Sequence, residues 1–321
     1  MSLTQYPALG HLALQNCYPL SAAGSELTLL FADTCLYQPN IIESEQLLSQ
    51  CRAPEPLPVL IGPVRDIDAA TAEARCVQLF SELLQAHPAL VSEVSEHTLL
   101  LCPESAKPLL ASIPIPVGFG QIHWAHQLED GLQILEQLLT EQRDQISHLN
   151  WLSVDSLLDY EAYQDCNADF ATDRNPEGVI PGEGACCLRF SVEAQARGSV
   201  QSALEPFAFD AETEPTTALN LLLGEQVPTH LVSNRSSNSN AQIAEWYRIL
   251  GKPAPGLAHL STRQSLGDTG LNETALVLAL ALAKADYDRQ ALAPCLIFQQ
   301  SQRLYWRCCL ATDATRQRNE P

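Results

Sequence analysis

The sequence predicts an α/β fold with largely buried sheets, and three observations carry that reading. Short continuous apolar runs alternate with amphipathic stretches along the whole chain, the pattern of strands covered on both faces by helices. No period of roughly 20–50 residues recurs, which excludes a solenoid. Hydrophobic residues make up 46% of the 321 residues and charged ones 17%, the composition of a globular chain that buries a sizeable core.

Taken in order, "LGHLALQNC" (Leu9–Cys17) and "ELTLLFADTC" (Glu26–Cys35) read as strands, each a short run dominated by apolar residues. "EARCVQLFSELLQAH" (Glu73–His87) is amphipathic and reads as a helix, and "HTLLLCP" (His97–Pro103) as a buried strand. "QLEDGLQILEQLLTEQRDQI" (Gln127–Ile146) is a second amphipathic helix, "LNWLSVDS" (Leu149–Ser156) a strand and "LDYEAYQD" (Leu158–Asp165) a helical stretch. "GACCLRFSVEAQA" (Gly184–Ala196) is a strand that closes this half of the chain. Beyond it, "PFAFDAE" (Pro206–Glu212), "PTHLVSN" (Pro228–Asn234) and "GLAHLST" (Gly256–Thr262) read as strands. Between and after them, "TTALNLLLGE" (Thr216–Glu225), "NAQIAEWYRIL" (Asn240–Leu250) and "NETALVLALALAKADY" (Asn272–Tyr287) read as helices. "APCLIFQQSQRLYWRCCLA" (Ala293–Ala311) reads as a closing hairpin. The softest boundary is "ARGSVQSALEP" (Ala196–Pro206).

A formal charge of −20 argues against nucleic acid and anionic lipid as partners, because both are polyanions that require Lys/Arg patches. The longest apolar run, Ala275–Ala285, is too short to cross a bilayer, which takes about 20 residues. The opening residues lack a basic n-region and an h-region, so no signal peptide is expected and a cytoplasmic location is. The eleven cysteines are scattered, with no CxxC and no Cys/His cluster at zinc spacing. Several sit inside apolar runs, where a thiol behaves as a small hydrophobe, so reduced and mostly buried cysteines are expected.

Three segments together resemble the β-ketoacyl-acyl carrier protein synthases of the thiolase superfamily. The first is "DRNPEGVIPGEGACCLRF" (Asp173–Phe190), whose Gly182, Glu183, Gly184 and Ala185 fit the family's Gly-Glu-Gly-Ala strand. The second is "THLVSNRSSNSNAQIAEWYRIL" (Thr229–Leu250), in the place of the family's strand, His-Gly-Thr-Gly-Thr loop and helix. The third is "HLSTRQSLGDTGLNETALVLALALA" (His259–Ala283), which matches the family's Lys…Gly-His loop and small-residue helix, with Gly267 and Gly270 in the loop. The match covers roughly residues 110–321. The resemblance implies a thiolase-like α/β/α/β/α arrangement of two pseudo-equivalent halves, 1–205 and 206–321, in one compact unit with a reduced cap.

The family's condensation uses a Cys thiolate at a helix N-terminus, assisted by the helix dipole, and two His, or a His and an Asn, that polarise the thioester carbonyl. Here the nucleophile position falls near His126 and Gln127 in "IHWAHQLEDG", which contains no Cys. The first His falls near Asn234, with Arg235 and Ser237 replacing glycines. The second falls at Asp268, and the family's Lys near Arg263 or Gln264. The C-terminal Gly-Phe-Gly-Gly turn is replaced by "FQQSQRLYW". Cys35, Cys186 and Cys187 are poor substitutes for the nucleophile, the first because it comes too early in the chain and the pair because it lies in a strand. Asn238 or Asn240 offer amides to an acyl or pantetheine carbonyl. His123 and His126, three apart at a helix start, form at most half of a metal site without a third ligand, so no metal and no cofactor is expected.

The resemblance therefore implies a catalytically degenerate ketosynthase-like protein that works as a binding, adaptor or assembly partner. Two settings fit: a chain-length subunit paired with an active ketosynthase, or an adaptor like those encoded beside bacterial type VI secretion effectors. Its partners would be a second thiolase-like chain in a homodimer or heterodimer, an effector protein, or an acyl carrier protein or acyl-CoA. The alternative is an active acyltransferase or 3-oxoacyl-carrier-protein synthase variant that forms a thioester on one of the cysteines.

Overall fold

A computed structural model describes residues 3–36, 40–51, 53, 55–163, 169–193, 203–209, 230–233, 258–288, 294–299 and 304–309. The chain opens with β1 (Leu3–Gln5), a 3-10 turn (Pro7–His11), the long β2 (Leu12–Ser21) and α1 (Leu27–Cys35). A hairpin of β3 (Ile42–Ser49) and β4 (Leu57–Ile61) follows as a separate two-stranded sheet. α2 (Ala72–Ala86) starts where the Thr71 side chain accepts the Ala74 N–H, and it buries Cys76, Leu79, Phe80 and Leu83 on one stripe. Then come α3 (Ala89–Ser92), β5 (His97–Leu101), α4 (Lys107–Leu110), β6 (Gln121–Ala125), α5 (Leu128–Gln142), β7 (His148–Ser156) and β8 (Glu183–Val192). The remaining described elements are β9 (Ala203–Phe209), β10 (His230–Ser233), β11 (Ala258–Ser261), α6 (Thr262–Leu266), α7 (Glu273–Asp288), β12 (Pro294–Gln299) and β13 (Leu304–Cys309).

The strand order repeats. β2, β5, β6, β7 and β8 lie side by side as β2-β8-β7-β5-β6, and β9 to β13 as β9-β13-β12-β10-β11, the same permutation. The directions repeat too: β5 runs parallel to β6 and β7, and β10 to β11 and β12, whereas β8 and β13 run antiparallel to both neighbours. A single pairing, Ala13 with Ala203, joins β2 to β9 and makes the two sets one continuous sheet. The boundary expected at 205/206 falls inside β9.

Alternate residues of the first set face two different cores, as strand geometry requires. Leu99, Leu101, Leu149, Trp151, Cys186, Leu188 and Phe190 pack with α5 and α7, whereas Leu100, Leu152, Val154, Ala185 and Cys187 pack with α2. α7 touches β2, β7 and β8 on one side and β10 and β12 on the other, so it is a central layer between the two sets. Its run Ala275–Ala283 is buried without a polar face, as a helix enclosed all round requires. Among the described residues, no helix is long and apolar enough to cross a membrane.

Two expected elements differ. Glu26–Cys35 is not a strand but α1, with Leu30 and Thr34 buried one turn apart; periodicity cannot separate strand from helix in so short an apolar run. Leu158–Asp165 does not form the expected helix over its described part. The Asp159 carboxylate caps the N–H groups of Glu161 and Ala162 at 3.1 and 2.8 Å and closes a turn. The expected helices at 216–225 and 240–250 lie outside the described residues.

Candidate functional site

The Gly-Glu-Gly corner opens β8 and alternates its faces residue by residue. Glu183 points toward α2, where it is fully buried and takes a bidentate pair from Arg75: Nε to Oε2 and Nη2 to Oε1, each at 2.7 Å. Val64 N–H and the Ser156 hydroxyl complete the carboxylate at 2.9 and 2.8 Å, and Arg75 Nη1 donates to the Ala69 carbonyl at 2.8 Å. Every charge in this pair is hydrogen-bonded, which is the condition under which a buried ion pair is tolerated. The flanking glycines face the opposite way, onto the segment between α6 and α7. A Cβ on Gly182 would collide with the Leu266 carbonyl, and one on Gly184 would sit 2.7 Å from Asn272 Nδ2 and 2.8 Å from the Leu20 carbonyl. The backbones approach too closely for any side chain.

The α6–α7 segment is laced to that corner. Gly182 N–H donates to the Asp268 carbonyl and Asp268 N–H to the Ile180 carbonyl, both at 2.8 Å. Gly267 (φ +76°) and Gly270 (φ +58°) take left-handed turns on either side. The Asp268 carboxylate is paired with the Arg263 guanidinium and accepts the Gly270 N–H at 3.1 Å. Arg263 Nε lies 3.7 Å from Glu273. Asn272 accepts the Ser153 hydroxyl at 2.5 Å, so the start of α7 is also tied to the middle of β7.

Asp155, near the end of β7, was not singled out in the sequence. Its Oδ2 accepts the Leu271 N–H at 2.7 Å and its Oδ1 the Ser156 N–H at 2.8 Å. Burial pushes its pKa up to about 7, the charge of Asp268 adds to that, and the two N–H groups work against it. The signal for it is an Asp inside a strand that is otherwise buried from Leu149 onward.

The expected nucleophile position lies at the other helix of this layer. Gln127 is the N-cap of α5 in extended geometry, exposed, with no side-chain cap hydrogen bond, and Glu129 and Asp130 occupy the first turn. His126 donates Nδ1–H to the Cys102 carbonyl at 2.9 Å. His123 is not at a helix start but within β6, and its ring meets His97 rather than His126. A period-2 strand followed by a junction does not stack residues three apart. Asn234, Asn238 and Asn240 lie outside the described residues.

Cys76, Cys102, Cys186 and Cys187 are buried. Burial raises all four thiols, Cys102 to about 12 and the other three well above the ordinary thiol range. Cys35 ends α1 and Cys17 lies in β2, both half-buried. A cavity of about 360 Å³ opens at the far end of α5, between His11, Leu139, Gln142 and Arg143. None of the expected site residues lines it.

Solved structures place this architecture. An ishigamide ketosynthase/chain length factor structure superposes with a TM-score of 0.59 at 14% identity, over 94% of this chain and 100% of that one. The module 1 ketosynthase of the bacillaene synthase from Bacillus amyloliquefaciens gives 0.59 at 10%, over 95% and 73%. An oxazolomycin ketosynthase domain from Streptomyces albus gives 0.58 at 11%, over 94% and 75%. The chain has the thiolase-like fold of the ketosynthases. No family model and no curated protein matches the sequence.

In this thiolase-like fold α5 and α7 hold equivalent places, each between the third and fourth strands of its set. The layer they share carries Gln127 at the start of one helix and Asp268 ahead of the other. A carboxamide is neither a nucleophile nor a proton donor of useful acidity. A carboxylate held by a guanidinium accepts hydrogen bonds and donates none.

Proposed function

We propose that this chain is a ketosynthase-like protein without condensing chemistry that serves as a binding partner, in the manner of a chain-length subunit or an adaptor. One observation carries the reading: α5 opens on Gln127 and places Glu129 and Asp130 in its first turn. A thiolate at that point would need the positive end of the helix dipole, and two carboxylates in the same turn counter it. Asp268, engaged by Arg263, supports the reading, as does burial of four of the described thiols. The structural neighbour described as a ketosynthase/chain length factor is consistent with it.

The partner we infer is a protein that docks at β6. Among the described residues β6 is the outermost strand of its set, so its outer edge presents unpaired N–H and C=O groups, the template for strand addition. Beside it Val91, Val94 and Val117 are exposed, Val117 almost completely at 96%. The Val94 carbonyl and Ser95 hydroxyl are fixed by Arg189 at 2.7 and 3.2 Å, which holds this apolar rim in one position.

Intact mass after incubation with short-, medium- and long-chain acyl-CoAs tests the absence of chemistry. No adduct on any of the eleven cysteines is expected. A stoichiometric thioester would overturn the reading in favour of an acyltransferase.

A further inference from the structure

We propose that His97 and His123 form a two-imidazole site for a divalent transition-metal ion, copper(II) or zinc(II), at the outer edge of the sheet. His97 opens β5 and His123 is the central residue of β6. The parallel register sets Leu99 beside His123, so the two imidazoles lie one pleat apart on the same face. His97 Nδ1 and His123 Nε2 point at one another across 3.0 Å, with the rings tilted by 39°.

The spacing decides what can enter. With metal–nitrogen bonds of about 2.0–2.1 Å, two imidazole nitrogens stand about 2.8–3.0 Å apart in cis positions of a square plane and about 3.3–3.4 Å apart at a tetrahedral angle. The observed 3.0 Å falls at the upper end of the first range and short of the second, so the bite favours copper(II). To bind, each ring swings by roughly 35–45° so that its lone pair leaves the line between the nitrogens and meets the ion. Both imidazoles are held neutral at pH 7. Desolvation lowers the pKa of each, opposed by Glu96 at His97 and reinforced by His97 at His123. Neutral rings keep their lone pairs. The proton bridging the two nitrogens moves to the outer nitrogen of its own ring when a metal binds, so no net proton is released.

Glu96 turns its carboxylate to the N–H groups of Ser147 and His148, at 3.3 and 2.8 Å, and so adds negative potential without ligating. Among the described residues no third His, Cys, Asp or Glu joins the pair. Water fills the remaining positions, and the affinity belongs to an exchangeable site rather than a structural one.

Titration of the full chain with copper(II) and zinc(II) at about pH 7.5, by calorimetry and by electron paramagnetic resonance for copper, tests this. One site with a Kd on the order of micromolar is expected, with hyperfine structure from two imidazole nitrogens. His97→Ala and His123→Gln should each weaken it about tenfold or more. His148→Ala, whose ring is not part of the pair, should leave the Kd unchanged. His123 is only half-buried, so its Gln variant, checked by circular dichroism, remains informative where the His97 variant unfolds. An unchanged Kd in His123→Gln, or the same two-nitrogen spectrum in that variant, would overturn the proposal.

Discussion

Asp155 keeps its proton to about pH 7 in the folded chain, against an ordinary value of 3.8. Between those two values the folded state binds more protons than the unfolded one, so stability falls as pH rises from about 4 to about 7 and levels off above. This is opposite to the behaviour of an Asp in an ion pair. The difference is worth up to about 4 kcal/mol, as an order of magnitude. Asp155→Asn keeps the size and one acceptor oxygen but has no charge to bury. Urea denaturation at pH 5 and pH 8 should show the wild type losing at least about 2 kcal/mol more than the variant between those conditions. Equal losses would mean that the carboxylate is not protonated in the folded state. At this scale the sequence was only partly legible. Gly182 and Gly184 stood out because a corner was expected there, whereas Arg75 and Glu183 lie 108 positions apart and nothing local links them.

Among the elements, the contact between the β8 corner and the α6–α7 segment has no slack. Gly184→Ala would drive a methyl group into Asn272 and the Leu20 carbonyl, and backbone cannot yield as a flexible side-chain tip does. A loss of about 1–3 kcal/mol is expected, measured by thermal and urea unfolding. α2, α5 and α7 were readable because each is long enough for a helical stripe or a uniformly apolar run to declare itself. β5, β7 and β8 were readable as short buried runs between turns. α1 was not, since nine residues of mixed apolar character fit a covered strand equally well. The turn after Leu158 was masked by residues with good helix propensity, and the Asp159 carboxylate decided otherwise.

For the whole molecule, a net charge of −20 disfavours acidic partners, and the proposed docking at β6, the outermost strand of its set among the described residues, calls for a partner that tolerates or matches that charge. The double variant Val94→Glu and Val117→Glu should weaken co-purification of the natural partner by at least about tenfold, while far-UV circular dichroism stays unchanged. Undiminished capture would place the interface elsewhere. The repeated strand permutation agrees with the two pseudo-equivalent halves that the family resemblance implies, although no shared spacing between the two sets shows it in the sequence itself. The Gly-Glu-Gly corner has one further consequence, for folding. β8 lies between β2 and β7, so its docking commits both neighbours at once. A slip of one residue would turn the Glu183 carboxylate toward Asn272, present Gly184 to Arg75, and strand two opposite charges in apolar surroundings. The buried ion pair thereby sets the native register of β8 apart from its one-residue neighbours by the cost of two unpaired buried charges.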